Sequence, residues 1–89
     1  MKIEELPVHS YVLDADRQIY IERRSLPGSP ESWVIKDGTY CLNKRGEWVY
    51  EPMPSNRTKS FISRTRWKSA ADALAFWEQL VENRKVNNE

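Results

Sequence analysis

The sequence has little of what disulfide-stabilised, zinc-binding or membrane proteins need. Its 89 residues include one cysteine, Cys41, and one histidine, His9. A lone cysteine cannot form an internal disulfide and suits a reducing compartment, and structural zinc needs four cysteine or histidine ligands. No run of about 18 apolar residues is present, so no membrane span is expected. Residues 1–7 lack the apolar core of a signal peptide. We therefore expect a cytoplasmic protein without a metal or another cofactor.

The sequence also lacks a large excess of positive or negative charge and a glycine-rich loop. Fourteen Lys and Arg residues against 13 Asp and Glu residues give a formal net charge of +1, whereas strongly basic nucleic-acid binders usually carry a larger excess. The three glycines, Gly28, Gly38 and Gly46, are scattered among turn residues, so no phosphate-binding loop is predicted. No Gly-x-Ser-x-Gly nucleophile elbow occurs either.

The remaining candidates for catalysis have simpler structural explanations. His9 and Ser10 are neighbours on a predicted strand, so their side chains point to opposite faces. Cys41 is interpreted as a small, half-buried hydrophobic residue. Glu47 and Glu51 lie near the ends of one predicted strand, where a solvated sheet rim explains them better than glycoside hydrolysis does. We therefore predict that the protein is not an enzyme.

Alternating side chains and two turn signals predict an antiparallel sheet. Asp37-Gly38 is typical of a two-residue hairpin turn, and residues 44–46 of a three-residue loop with Gly46 in the left-handed position. The first turn would place Ile35 opposite Tyr40. The full set of pairs predicted from both turns is Ile35 with Tyr40, Trp33 with Leu42, Leu42 with Trp48 and Tyr40 with Tyr50. The predicted strands cover about residues 9–13, 18–24, 32–36, 39–43 and 47–51.

This register puts the large side chains of the second half of the sheet on one face. That face holds Trp33, Ile35, Tyr40, Leu42, Trp48 and Tyr50, and the other holds Val34, Cys41 and Val49. Because successive side chains alternate in direction, a one-residue slip at either turn would mix the two faces. The face with the large apolar side chains must be buried against another element of the fold.

One helix is predicted to cover this face. Ser69 and Asp72 resemble a capping box, and the apolar residues that follow recur at helical spacing to about residue 85. We expect Trp77 and Leu74 to contact Trp48 or Tyr40. Residues 56–67 are predicted to form a short helix, with Ser55 as its cap, or a strand. The predicted fold is one α+β domain over residues 1–89, with an antiparallel meander of four to five strands and one C-terminal helix packed across the aromatic face.

One local charge signal stands out. Residues 57–68 include five basic residues and no acidic ones. Such a stretch can face an anion, either a phosphate backbone or an acidic protein, or it can be balanced by Glu22, Glu47 or Glu51 nearby. The candidate contact residues are Arg57, Lys59, Arg64, Arg66 and Lys68, with Lys44 and Arg45 from the adjoining turn.

Residues 41–44, 46–57 and 65–67, with Phe61 between them, carry a pattern that resembles a group of small uncharacterised proteins from phages and mobile elements. The resemblance covers roughly the C-terminal two-thirds of the chain. It implies an accessory protein that acts in the cytoplasm of a bacterial host. Many such proteins bind a host protein, including as inhibitors of host defence.

A looser similarity of topology links this chain to the DNA-binding domains of integrase arms and plant ethylene-response factors, which combine a three-stranded sheet with a helix. Its motifs are Gly46-x-Trp48 and Arg66-Trp67-x-Ser69. Those domains read the major groove with the sheet face that points away from the helix. In this sequence that face would carry Glu47 and Glu51, where the family needs Arg and Trp.

Three functional hypotheses follow. The first is a non-enzymatic phage or mobile-element protein that binds a host macromolecule, most simply a host protein, and modulates or inhibits it. The second is DNA binding through the sheet and the basic loop. The third is a small enzyme or ligand carrier with a pocket between sheet and helix. Either a monomer or a homodimer paired through an edge strand is compatible with the sequence.

Overall fold

The protein is an α+β fold in which one helix packs on a five-stranded antiparallel sheet, as the sequence predicts. The computed structural model describes residues 10–24 and 30–87, and only the backbone of residues 85–87. The strands follow one another in the sheet in chain order. They are β1 (Ser10–Asp14), β2 (Ile19–Arg23), β3 (Trp33–Asp37), β4 (Tyr40–Leu42) and β5 (Trp48–Tyr50). A 3₁₀ turn (Pro54–Asn56), α1 (Lys59–Thr65) and α2 (Ala70–Asn87) complete the fold.

The turn between β3 and β4 lies one residue later than the sequence predicts. Asp37 pairs with Tyr40 and Lys36 with Cys41, so Gly38 and Thr39 form the turn. Gly38 has a φ of 61° and occupies the first turn position, where a type II′ turn requires glycine. The predicted pairs of Tyr40 with Ile35 and of Leu42 with Trp33 are therefore wrong.

This error moves the pairing by two residues and so leaves every side chain on its predicted face. The second hairpin has the predicted register, because Tyr40 pairs with Tyr50 and Leu42 with Trp48. Gly46 adopts a φ of 82° in the connecting loop. The side-chain Oδ1 of Asn43 accepts hydrogen bonds from the backbone N–H groups of Arg45 and Glu47, which closes the loop.

The apolar core lies between the sheet and α2. Its buried residues are Ile19, Ile21, Trp33, Ile35, Leu42, Trp67 and Ala73. The rings of Trp48 and Trp77 meet edge to face with their centroids 6.4 Å apart, as predicted for Trp77. Leu74 instead lines a cleft with residues of β1. Tyr40 and Tyr50 remain exposed, so α2 covers only part of the aromatic face.

The segment 56–67 contains both predicted alternatives, a short helix followed by an extended residue. Thr58, and not Ser55, caps α1, because its Oγ1 accepts a hydrogen bond from the N–H of Phe61. Trp67 then forms an antiparallel bridge with Trp33, in which each N–H donates to the carbonyl of the other at 2.8 Å. This bridge ties the chain between α1 and α2 to the start of β3.

Two predictions concern residues outside the described part of the chain. The first is the start of the first predicted strand at His9, which is not described, so that β1 begins at the first described residue, Ser10. The second concerns the loop around Gly28, most of which lies outside the described residues.

Candidate functional site

The carboxylate of Glu51, which follows β5, is the centre of a cluster of charged side chains. Arg24 Nη2 lies 2.9 Å from Glu51 Oε2, and Arg66 Nη2 lies 2.5 Å from Oε1. Lys36 Nζ lies 3.8 Å from Oε2, and Arg57 Nη2 lies 3.9 Å from Oε1. The Glu51 side chain is only 5% exposed. We call these five residues the Glu51 cluster.

The four cations of the Glu51 cluster come from separate parts of the fold. Arg24 follows β2, Lys36 lies on β3, and Arg57 and Arg66 stand just before and just after α1. Arg57 Nε also donates a hydrogen bond to the carbonyl of Pro52. The single carboxylate therefore joins the sheet to the segment that carries α1, on the side of the sheet that α2 does not cover.

The environment of Glu51 favours its ionised form. Burial raises the pKa of this carboxyl group, but the attraction of the Arg24 and Arg66 guanidinium groups outweighs burial and leaves the pKa below its ordinary value. The prediction that Glu51 lies at a solvated sheet rim is wrong, because a strand-end position says nothing about which side chains fold over it. Glu47, by contrast, is exposed.

Cys41 lies beside the cluster and is completely buried, more so than predicted. Burial raises the pKa of its thiol, and the neighbouring Glu51 carboxylate raises it further, against the opposite effect of Arg66. A thiol that stays protonated at neutral pH and has no access to solvent is a poor nucleophile. In this position it acts as a small apolar side chain.

The structure divides the predicted contact residues into two groups. Arg57 and Arg66 belong to the Glu51 cluster and are partly or fully buried. The exposed members are Lys44, Arg45, Lys59, Arg64 and Lys68. Part of the basic stretch is thus balanced by Glu51, one of the carboxylates that the sequence offered for this role, and part faces solvent.

Three of the exposed cations meet at one groove between the β4–β5 loop and α1. Lys44, Arg45 and Arg64 line a volume of about 430 Å³, and the N–H of Lys44 donates to the carbonyl of Arg64 at 2.8 Å. We call this the basic groove, and Asn43, Glu47 and Val49 complete its lining. Glu47 is the only carboxylate among these lining residues, and its Oε1 accepts a hydrogen bond from Asn43.

An aromatic extension adjoins the basic groove. A second volume of about 230 Å³ shares Asn43, Val49 and Arg64 with the groove and adds Tyr50, Phe61 and Thr65 to its lining. Tyr50 is exposed and Phe61 half-buried. The ring of Tyr50 meets that of Tyr40, on the face that the register turns away from this groove. The surface therefore offers one aromatic side chain, Phe61, next to Arg64, and aromatic and arginine residues are both enriched at protein interfaces.

The sheet face opposite α2 is not free to enter a DNA groove. Val34 and Cys41 are completely buried, and Val49 is half-buried beside residues of α1. A domain that reads DNA with this face of its sheet needs the face open. The two solvated glutamates expected there are also not a pair, because only Glu47 is exposed.

A separate apolar cleft lies between β1 and the start of α2. Tyr11, Val12, Leu13 and Leu74 are among its lining residues, and its volume is about 400 Å³. β1 is an edge strand of the sheet, and Tyr11 and Val12 are exposed. Exposed apolar edges can pair with a second chain, and a homodimer through this edge stays a prediction.

Sequence reasoning missed two members of the Glu51 cluster, Arg24 and Lys36. Alternation along the strands places Lys36 on the same face as Cys41, which partly indicates that Lys36 lies near the cluster. Arg24 lies 27 residues before Glu51, and nothing local to either residue indicates that they meet. Their contact depends on the packing of the sheet with the segment around α1.

Comparisons with known proteins found no matching family model, no similar curated protein and no similar solved structure. Within the described ranges no helix is long and apolar enough to cross a bilayer. The same residues contain no group of three or more His, Cys, Asp or Glu side chains arranged to hold a metal ion.

Proposed function

We propose that this protein is a non-enzymatic binding protein whose basic groove engages an acidic surface of another protein. The observation that carries the proposal is the convergence of Lys44, Arg45 and Arg64 on one groove. None of the three pairs with a carboxylate within the described residues, although Lys44 Nζ lies 5.9 Å from the centroid of the Trp67 ring and Arg64 Nε donates to the carbonyl of Ser60. The charges of Arg57 and Arg66, by contrast, are directed at Glu51. The mechanism would be occlusion, in which a rigid sheet and helix hold the groove against its target.

The chemistry of the groove suits carboxylates. An arginine guanidinium forms two parallel hydrogen bonds with a carboxylate, and the groove presents two arginines, Arg45 and Arg64. Phe61 next to it supplies aromatic area of the kind that anchors interfaces. Opposite charge would also steer the partner, so association should be faster at low salt.

Our proposal includes the cytoplasm of a bacterial host as the place of this activity, which is what the sequence resemblance to phage and mobile-element proteins implies. The partner would be a host protein, such as a component of a defence system, which the bound protein modulates or inhibits. Part of the region that carries the resemblance lines the basic groove, since Asn43, Glu47 and Val49 all fall within it.

Nucleic-acid binding is the second candidate, and the basic groove is the observation that favours it. A phosphate backbone could occupy the same cations. Direct reading by the sheet face is disfavoured because Val34 and Cys41 are buried. The two candidates differ in salt dependence, because affinity for nucleic acid falls steeply on a log–log plot with a slope that grows with each phosphate contacted.

A small enzyme or ligand carrier has less support. The groups that such a site would use are a perturbed carboxylate and Cys41. Glu51 is held by two arginine side chains at 2.9 and 2.5 Å, and Cys41 has no exposed surface. Neither group is among the residues that line the basic groove, its aromatic extension or the apolar cleft.

The test is a pull-down from bacterial lysate with and without nuclease, followed by affinity measurements on the recovered partner. The double variant Arg45→Ala/Arg64→Ala removes two cations of the basic groove. The matched control, Arg17→Ala/Lys68→Ala, removes the same charge from exposed positions outside it. We expect a nuclease-resistant partner whose affinity falls about tenfold or more in the groove variant, equal to about 1.4 kcal/mol or more, and stays unchanged in the control.

Other results would redirect the interpretation. Equal losses in both variants would show that the groove is not the contact surface. Recovery that depends on nucleic acid, with a salt slope that flattens in the groove variant, would favour the second candidate over the first.

A further inference from the structure

The Glu51 cluster contains more positive charge than its carboxylates neutralise. Arg24, Lys36, Arg57 and Arg66 all lie within 4 Å of Glu51. Among the described residues, the other carboxylate in contact with these cations is Glu22, whose Oε1 lies 3.6 Å from Arg24 Nη1. Four cations against two carboxylates leave a surplus of two positive charges within this cluster.

This surplus sits where water cannot fully screen it. The side chains of Arg24 and Lys36 are 23% exposed and that of Arg57 is 19% exposed. Partly buried like charges repel each other more strongly than exposed ones, since the effective dielectric constant is lower. A further anion beside these cations would lower this repulsion.

Several hydrogen-bond donors of the cluster are also unused. Lys36 Nζ is 3.8 Å and Arg57 Nη2 is 3.9 Å from Glu51, beyond the length of a hydrogen bond. Lys36 donates no side-chain hydrogen bond to the described residues. The Nε of Arg24 also has no hydrogen-bond partner among the described residues, but it is buried, so Lys36 and Arg57 supply the donors that an anion from solvent can reach.

We propose that the solvent-facing side of the Glu51 cluster, formed by Lys36, Arg57 and Arg24, is a binding site for a phosphate dianion. A doubly negative tetrahedral oxyanion matches the surplus of two charges, and its oxygens can accept from an ammonium and from guanidinium groups together. Glu51 itself opposes a second anion, but its single charge is already shared among four cations. Arg66 is the most buried of the four and holds Glu51 in place.

The site is distinct from the basic groove and does not rest on the proposed function. The groove is lined by Lys44, Arg45 and Arg64, none of which contacts Glu51. Failure of one proposal therefore leaves the other standing. The groove variant should keep phosphate binding, and a variant of the phosphate site should keep partner binding.

Lys36→Gln is the most informative substitution. It removes one of the two cations that form no hydrogen bond with Glu51 and leaves the two close arginines in place. In phosphate-free buffer we expect its thermal stability to equal or exceed that of the wild type, because the substitution relieves repulsion. Lys68→Gln, at an exposed position outside the cluster, is the matched control.

The experiment is a calorimetric titration of the full chain with inorganic phosphate at about pH 8, where phosphate is a dianion, with thermal unfolding at matched ionic strength in phosphate and in chloride. We expect phosphate to bind and to raise the unfolding temperature progressively, with the logarithmic dependence on its concentration that binding to the folded state produces. Lys36→Gln should weaken the affinity about tenfold or more, and Lys68→Gln should change it less than about twofold.

A peptide carrying phosphoserine, compared with the same peptide without the phosphoryl group, distinguishes the source of the ligand. Tighter binding of the phosphopeptide than of free phosphate would assign the site to a phosphorylated protein, and the reverse would assign it to the free ion. The proposal is wrong if neither binds, if phosphate stabilises the protein no more than chloride does, or if the two lysine variants lose affinity equally.

Discussion

At the scale of single residues, Glu51 differs most from what its position suggests. A glutamate at the end of an edge strand is ordinarily solvated, yet this one is 5% exposed and contacts four cations. Burial of a charge is tolerated only when partners replace the lost water. The arginines of the Glu51 cluster supply this replacement, so the folded structure depends on the carboxylate more than on any one of them.

The first prediction concerns removal of the Glu51 charge. Glu51→Gln should lower the free energy of unfolding by about 3 kcal/mol, because it leaves partly buried cations without their common partner. Glu22→Gln is the control, since the Glu22 side chain is 38% exposed and its ion pair with Arg24 is longer, at 3.6 Å. It should cost less than about 1 kcal/mol. Urea unfolding measures both, and equal losses would refute the central role of Glu51.

At the scale of elements, the two glycine turns look alike in sequence but differ in what surrounds them. Gly38 and Gly46 both have positive φ, at 61° and 82°. A Cβ built on Gly38 meets nothing within 4 Å, whereas one on Gly46 would lie 2.8 Å from Leu80 Cδ1 of α2. The β4–β5 loop therefore also serves as a packing surface for the helix, and Arg84 Nη2 donates to the carbonyl of Gly46 beside this contact.

The second prediction separates the cost of a positive φ from the cost of crowding Leu80. Gly38→Ala should lower the free energy of unfolding by about 1 kcal/mol, the cost of placing a side chain in the left-handed region. Gly46→Ala should cost about 1 kcal/mol more, because the added methyl group also displaces the end of Leu80. Thermal unfolding of the two variants in parallel gives the comparison, and identical shifts would mean that Leu80 moves aside freely.

At the scale of the whole molecule, the two sides of the sheet are stabilised by different forces. The α2 side is an apolar core that includes Trp33, Ile35 and Leu42. The other side has buried Val34 and Cys41, but the segment around α1 is held to it through the charges of the Glu51 cluster. Apolar packing is insensitive to pH, whereas the cluster requires an ionised carboxylate.

The third prediction follows from this difference. Because the folded pKa of Glu51 is lowered, its contribution to stability is complete above the ordinary glutamate pKa and is lost as the pH falls through the folded value. Acidification below about pH 4.3 should therefore loosen α1 before α2. Hydrogen exchange should show faster exchange of the α1 amides at acid pH while the middle of α2 stays protected. Simultaneous loss of protection in both helices would contradict this order.

Much of the fold could be predicted from the sequence. Alternation of side chains, the glycine turns and the helical spacing after Ser69 are local signals, and they yielded the fold class, strand ends that differ by a single residue and the division into two faces. The exact turn between β3 and β4 was misassigned, because Asp37-Gly38 and Gly38-Thr39 both offer a glycine with positive φ and differ by an even shift that preserves the faces. The contact of Trp77 with Trp48 was also foreseeable from the facing stripes.

The candidate sites were decided mainly by tertiary structure. Local sequence marked residues 57–68 as basic, but it could not separate Arg57 and Arg66, which turn inward to Glu51, from Arg64, which lines the basic groove. Nor could it bring Arg24 to Glu51 across 27 residues. Charge depends on composition, which the sequence determines completely. Which charges pair and which face solvent depends on distances between segments far apart in the chain, and only the packed fold sets those distances.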